Sequence, residues 1–513
     1  MRLLLGFTLA ALGLVNVLPS DASWTVKPHA IDSGGHSESF SQFDRRSSIN
    51  SENIINVMFK PTVFVKPGND IQSLVDSNPA GTTFVIKSGV HRLQQIKPKN
   101  GSTFLGEPGA ILSGAKILSD FIQEGRFWVA NGQFQQGLVH GFCDHSLPDL
   151  PKGGCQFSED LFINDQVLFQ VVSLSDMTPG RWFFDYDANK IYLSDNPNGK
   201  KVETSLTRYA FWGHENNVTI KHLIIEKYAN PVQEGAIHAK NGNQGPLGEN
   251  WTIINNEIRF NHGVGIRISN GMKAIANRIH HNGQLGIGGA GRNMLFEHND
   301  IAHNNTQGNN WQVEAGGVKV VKARNIIFRG NFVHHNIGPG IWADVDNINI
   351  MYEGNRLADN AGPGIFHEKS LKAVIRTNWV GRNGFGLQRG LIGAGILISA
   401  SSNVDIYANT VRFNAAGIGL VQATPSSGQF GQFDLRDVFV HDNEILMRSG
   451  QTGMDIRSQE LVYFTGRNIR FKKNRYFLFG NKDNFFRWMN RARTPSEWKT
   501  FGQDVNGAII MRK

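Results

Sequence analysis

The chain has 513 residues, 57 of them Gly, with 40% hydrophobic and 19% charged side chains and a formal net charge of +9. The hydrophobic content builds a large core and excludes a disordered chain, and the absence of low-complexity runs excludes a collagen-like or linker-rich protein. Lys and Arg are scattered, without a basic run or an aromatic-interleaved stripe. The charge therefore reads as a solvated cationic surface that excludes nucleic acid as the expected partner and suits an acidic polysaccharide.

From the N-terminus, Met1-Arg2, an apolar Leu3-to-Leu18 segment and the small pair Ala22-Ser23 read as a secretory signal over residues 1–23. This predicts a secreted or periplasmic protein. No later segment is apolar over the roughly 18 residues a membrane span needs, so none is expected. Residues 24–61 read as an N-terminal extension and 62–116 as the first coils of a repeat, opened by the short amphipathic helix "IQSLVD". Residues 117–205 interrupt the repeat with aromatic, turn-rich sequence and read as a small β insertion, including a hairpin around Asp187-Ala188-Asn189. The two cysteines, Cys143 and Cys155, lie inside it. They are expected to close a disulfide in an oxidising compartment; with no His pair nearby they do not read as a zinc site.

From residue 206 to 450 a pattern Asn-x-(apolar)-x-x-Asn recurs, beginning at Asn256, Asn277, Asn299, Asn331, Asn355, Asn378 and Asn409. A Gly followed by Ile or Val comes later in each unit, as in Gly317-Val318, Gly340-Ile341, Gly364-Ile365 and Gly395-Ile396. The spacing is about 22 residues, a solenoid period. The leucine-rich frame is absent, no helical periodicity appears, and short β-branched strands are broken by Gly and Asn. The expected fold is all-β: a right-handed parallel β-helix with a small β insertion and end caps, the Asn side chains bonding one another from coil to coil. Residues 451–513 read as a C-terminal coil and cap, with Thr494 and Glu497 forming a capping box.

Strand side chains alternate, so the register can be read outward from each Gly. Ile or Val after the Gly points inward. The residues two and four places after the Gly point outward. In two successive coils these are Trp342 with Asp344, and Phe366 with Glu368. Stacked coils sit about 4.8 Å apart, and two carboxylates that close repel and raise one pKa. Nucleophile and acid/base in a retaining glycosidase stand about 5–5.5 Å apart. Asp344 and Glu368 are therefore the candidate catalytic pair, with Trp342 and Phe366 as flat faces for a sugar. Longer coils between Asn304 and Gly317 and between Asn383 and Gly395 are expected to wall the pair. Trp311 and Glu314 on the first of these, together with Asp346, Lys319 and His367, complete the candidate substrate-binding set. His281, His303 and His335 share one column and read as stacked turn residues.

The segments Trp342-Ala343-Asp344 and Phe366-His367-Glu368 resemble the catalytic segments of β-helix β-xylosidases of glycoside hydrolase family 120. More broadly, "GPGIWADVDN" and "GPGIFHE" resemble exported right-handed β-helix proteins of the pectate-lyase-like type. The resemblance implies Asp344 as nucleophile, Glu368 as acid/base, an oligo- or polysaccharide substrate and no cofactor. An alternative is a polysaccharide lyase or epimerase, with Ca²⁺ held by Asp344, Asp346 and Glu368 and Lys319 or Lys369 as the base. A third reading is a non-catalytic glycan-binding β-helix. Oligomeric state is not legible.

Overall fold

The computed structural model describes residues 61–512 apart from 145–153, 242–244, 387–389, 424–425, 458–459 and 481–482. The expected signal and almost all of the N-terminal extension lie outside the described residues. Three long parallel sheets run the length of the molecule, with 13, 13 and 12 strands among the described residues. One coil shows the path. Arg324–Arg329 lies in the first sheet, Phe332–His334 in the second and Ile341–Asp344 in the third. The next coil repeats it in register, pairing Ile326 with Ile350, Val333 with Leu357 and Ile341 with Ile365. This is a parallel β-helix.

Stacking is specified by side chains that recur once per coil. The Ile and Val after each Gly are fully buried, and Phe296, Phe328 and Tyr352 stack at 5.2 and 5.6 Å between ring centroids. Both Asn columns form continuous ladders. Asn360 Nδ2 donates to Asn383 Oδ1 at 2.9 Å and to the Val333 carbonyl at 3.0 Å, while its own Oδ1 accepts from Asn336 Nδ2 at 2.9 Å. These amides satisfy the backbone where the chain turns between sheets. That matters because buried polar groups without partners cost about 1–3 kcal/mol each. The ladder also explains the Gly column: a Cβ at Gly340 would come within 2.6 Å of the Gly364 carbonyl and 3.0 Å of Asn360 Nδ2.

The helix at Ile71–Ser77, capped by Asp70, packs Ile71 and Val75 into the first coils. The insertion forms an eight-stranded sheet between Ala115–Leu118 and Val202–Ser205, with a core of its own around Trp182, Phe184 and Ile191. Arg181–Asp185 and Lys190–Leu193 pair antiparallel around the hairpin turn. Cys143 and Cys155 are disulfide-bonded. The Cys143 segment bridges to Asn309, and Asn310 N–H donates to the Phe142 carbonyl at 2.7 Å. The insertion thereby braces the loop that carries Trp311.

Beyond residue 450 the coils continue to Ala508–Arg512, which pairs with Arg475–Phe479. The Asn ladder runs on through Asn443 and Asn474 and ends on Asp504. These coils were illegible because the Gly-Ile pair that marks earlier coils is lost. The helix Pro495–Thr500 has its Thr494–Glu497 capping box and buries Trp498 against Phe471 and Phe486. Among the described residues, no helix is long and apolar enough to cross a membrane.

Candidate active site

Asp344 and Glu368 end neighbouring strands of the third sheet, where Trp342 pairs with Phe366 and Ala343 with His367. Their registers continue outward, Asp344 to Val321 on one side and Glu368 to Ser399 on the other. The rings of Trp342 and Phe366 stack at 5.2 Å and 13°. Beside them opens a cleft of about 460 Å³, lined by Trp311, Gln312, Trp342, Phe366, Glu368, Lys369, Ile392 and Arg457 among others. Trp311 comes from the first inserted loop, whose short helix Trp311–Glu314 is capped by Asn310. Ile392 comes from the second. Both long coils therefore contribute walls.

The two carboxylates have different surroundings. Asp344 Oδ2 lies 3.1 Å from Lys319 Nζ, and its Oδ1 accepts the Val345 N–H at 2.8 Å. These are the partners of an anion. Glu368 has no such partner: burial first, and the Asp344 charge second, push its pKa up to about 7, partly opposed by Lys369 and by Trp342. The Trp342 indole N–H makes no full hydrogen bond, so its pull on Glu368 is a partial one. A carboxyl raised in this way can serve as a proton donor near neutrality.

Lys319 is 5% exposed, sits 3.9 Å over the Trp342 ring and donates to the Val313 carbonyl. Its ammonium is thus committed to Asp344 and is neither a substrate contact nor a free base, contrary to the sequence reading. We expect Lys319→Met to leave Asp344 as an unpaired, partly buried charge. Removing one partner of a buried pair costs about 3–5 kcal/mol, and the partial exposure of Asp344 lowers this to about 1–3 kcal/mol. Denaturant midpoints of the variant and wild type check this. Equal midpoints would show that the Lys319–Asp344 pair contributes nothing to stability.

Four further expectations are corrected. His367 points inward: it is fully buried, contacts Tyr352 Oη at 3.2 Å, and burial lowers its pKa to about 3. It lies on the core side of the pleat and cannot touch substrate. Asp346 is 7% exposed and accepts the Gln429 N–H at 2.7 Å, so it anchors a loop from a later coil. Glu314 faces a separate depression with His140 and Phe142, where Gln233 Nε2 donates to it. The Ca²⁺ set is not assembled: among the described residues no trio containing Asp344, Asp346 or Glu368 brings its ligand atoms within 4.8 Å.

Sequence reasoning missed Pro339, Pro363 and Arg457 in the cleft lining. The two prolines had a signal, the Gly-Pro-Gly repeated in adjacent coils; a Cβ on Gly362 would meet the Pro339 nitrogen at 2.7 Å, so these segments stack closely. Arg457 had none, because it reaches the cleft from a later coil across a loop of irregular length.

A family model described as "Right handed beta helix region" matches residues 235–411. XylC, in a complex structure with xylose, is similar at 14% identity with a TM-score of 0.56, the match covering 81% of this chain and 83% of that one. The A-module of the Azotobacter vinelandii mannuronan C-5 epimerase AlgE6 is similar at 13% identity with a TM-score of 0.50, covering 86% and 94%. The fold is a right-handed parallel β-helix. No curated protein matches the chain. In this β-helix the cleft lies on the third sheet, where the loops carrying Trp311 and Ile392 converge.

Proposed function

We propose that this β-helix protein is a secreted or periplasmic carbohydrate-active enzyme, a glycoside hydrolase that retains anomeric configuration. The observation that carries the reading is the carboxylate pair on neighbouring strands: Glu368, raised to about 7, lines the aromatic-walled cleft, and Asp344, paired with Lys319, ends the adjacent strand. Asp344 attacks the anomeric carbon. Glu368 gives its proton to the glycosidic oxygen and the leaving sugar departs. The glycosyl–Asp344 ester is then opened by water, whose proton returns to Glu368. Half-buried Phe366 offers an apolar surface to a sugar ring, whereas Trp342, 4% exposed between Phe366 and Lys319, and Trp311, 6% exposed, build the wall behind it and are not the open faces expected. The likeness to XylC with xylose and to an epimerase acting on mannuronan supports a glycan substrate.

A second reading, epimerisation or lysis of a uronate polymer, is favoured by one observation: Lys369 and Arg457 line the cleft beside Glu368 and suit a carboxylated sugar. A panel of aryl glycosides and uronate polymers separates the two. Release of the aryl group, with the first sugar product keeping its configuration by NMR, supports the hydrolase. Inverted product, or ultraviolet absorbance of an unsaturated uronate without hydrolysis, rejects it.

A further inference from the structure

The histidine column on the second sheet is more than a stack of turn residues. His303 and His335 each follow a strand of that sheet in the left-handed conformation, with φ of 54° and 53°. Their rings stack at 5.0 Å and 22°. His334 is the last residue of its strand and lies in register with Ala302 and Ala358. Those two small neighbours leave its ring room beside the column. Its Nδ1 lies 2.8 Å from His335 Nδ1 and its Nε2 lies 2.9 Å from Asp300 Oδ1. Phe332 stacks on its ring at 4.0 Å and fixes the ring plane.

We propose that His303, His334 and His335 bind a divalent late-transition ion, Zn²⁺ or Cu²⁺. One nitrogen from each can lie within 4.8 Å of the others, and this is the sole group of three such ligands among the described residues. Imidazole suits these ions. His334 Nε2 lies against Asp300 while its Nδ1 faces His335 Nδ1, and a carboxylate behind a histidine is the arrangement that orients metal ligands and raises their basicity. His335 Nε2 in turn faces Asp359 Oδ2 at 3.9 Å. Both His303 and His335 are exposed, so the ion has an entry path and room for water as a further ligand. A column serving only to stack rings needs neither His334 nor Asp300. The pair His280–His281, backed by Glu257, repeats the contact two coils earlier, yet its nitrogens do not converge with a third.

The test is titration of tag-free full-length protein with Cu²⁺ and with Zn²⁺, read by calorimetry and, for Cu²⁺, by visible absorbance. One saturable equivalent is expected. His303→Asn, which tolerates the left-handed backbone, and His334→Ala should each weaken it by at least about 100-fold, and Asp300→Asn by about 10–100-fold. Unfolding midpoints of the variants check that they are folded. Glu368→Gln should bind as wild type does, which separates this site from the catalytic cleft. No saturable equivalent, or equal affinity in folded His303→Asn and His334→Ala, overturns the proposal.

Discussion

Glu368→Gln is expected to lower turnover by about 10²–10⁴-fold, the contribution a positioned general acid/base makes, while stabilising the protein in alkaline solution. Both effects come from one cause. Burial and the neighbouring Asp344 hold the Glu368 pKa at about 7 against an ordinary 4.5. In the folded protein the proton is therefore kept where the unfolded chain has released it. The sign follows: stability from this group is fully present below pH 4.5 and is lost as pH rises through 7. Above that range the native state carries two neighbouring anions in a partly buried site. Gln keeps the shape of the protonated acid and never ionises. The variant should match wild type near pH 4.5 and exceed it at pH 8 by about 2 kcal/mol, after a discount for the site's opening to water. Wild-type kcat/KM should fall as pH rises through about 7, because the acid is then spent. Denaturant midpoints of both proteins at the two pH values, beside a rate profile, check this. A stability difference that does not change with pH would mean Glu368 is ionised at neutrality, and the acid role would fall with it.

The coil register was legible because it rests on residues with no substitutes at their positions. Gly340 and Gly364 stand where a Cβ meets a carbonyl of the next coil, and each Asn bonds the equivalent Asn above it. Those constraints leave a periodic trace, and the trace alone places Trp342 over Phe366 and Asp344 next to Glu368. Side-chain direction beyond the register was less legible. His367 follows from the alternation once applied strictly: three places after the Gly is an inward position, and the ring is buried against Tyr352. Lys319 points outward as read, yet its long stem brings the ammonium back onto Trp342 and Asp344. Asp346 is claimed by the backbone of Gln429, 83 residues later. Arg457 reaches the cleft from more than one coil away. Contacts of this kind depend on loop paths, which have no period. The histidines show the converse: the column at His303 and His335 was visible, but His334 beside it and its partner Asp300 were not, because that contact joins positions in neighbouring coils that share no column.

The ladder makes the largest structural prediction, and the molecule contains its own control. Asn360 is 1% exposed and its side chain joins three coils. Asn360→Ala removes the acceptor for the Asn336 amide and backbone N–H and the donor to the Val333 carbonyl. These groups are buried. With a penalty of about 1–3 kcal/mol per unsatisfied group and some relaxation, the loss should reach about 3–5 kcal/mol. Asn349 stands in another ladder: its Nδ2 donates to Asn325 Oδ1 at 2.8 Å, a similar bond on the exposed side of the first sheet. Its φ is 61°, so Gly is the replacement that keeps the backbone. Water can take over the lost bond, and Asn349→Gly should cost less than about 1 kcal/mol. The contrast sets a buried amide that serves several partners against an exposed one with a single side-chain bond. Denaturant midpoints for the two variants decide it. Because each coil contacts only its neighbours, the Asn360 variant should also loosen locally, with amide exchange rising first in the coils at Asn336 and Asn383. Equal costs for the two variants would mean that the ladder is held by strand pairing and side-chain packing, with the buried amides adding little.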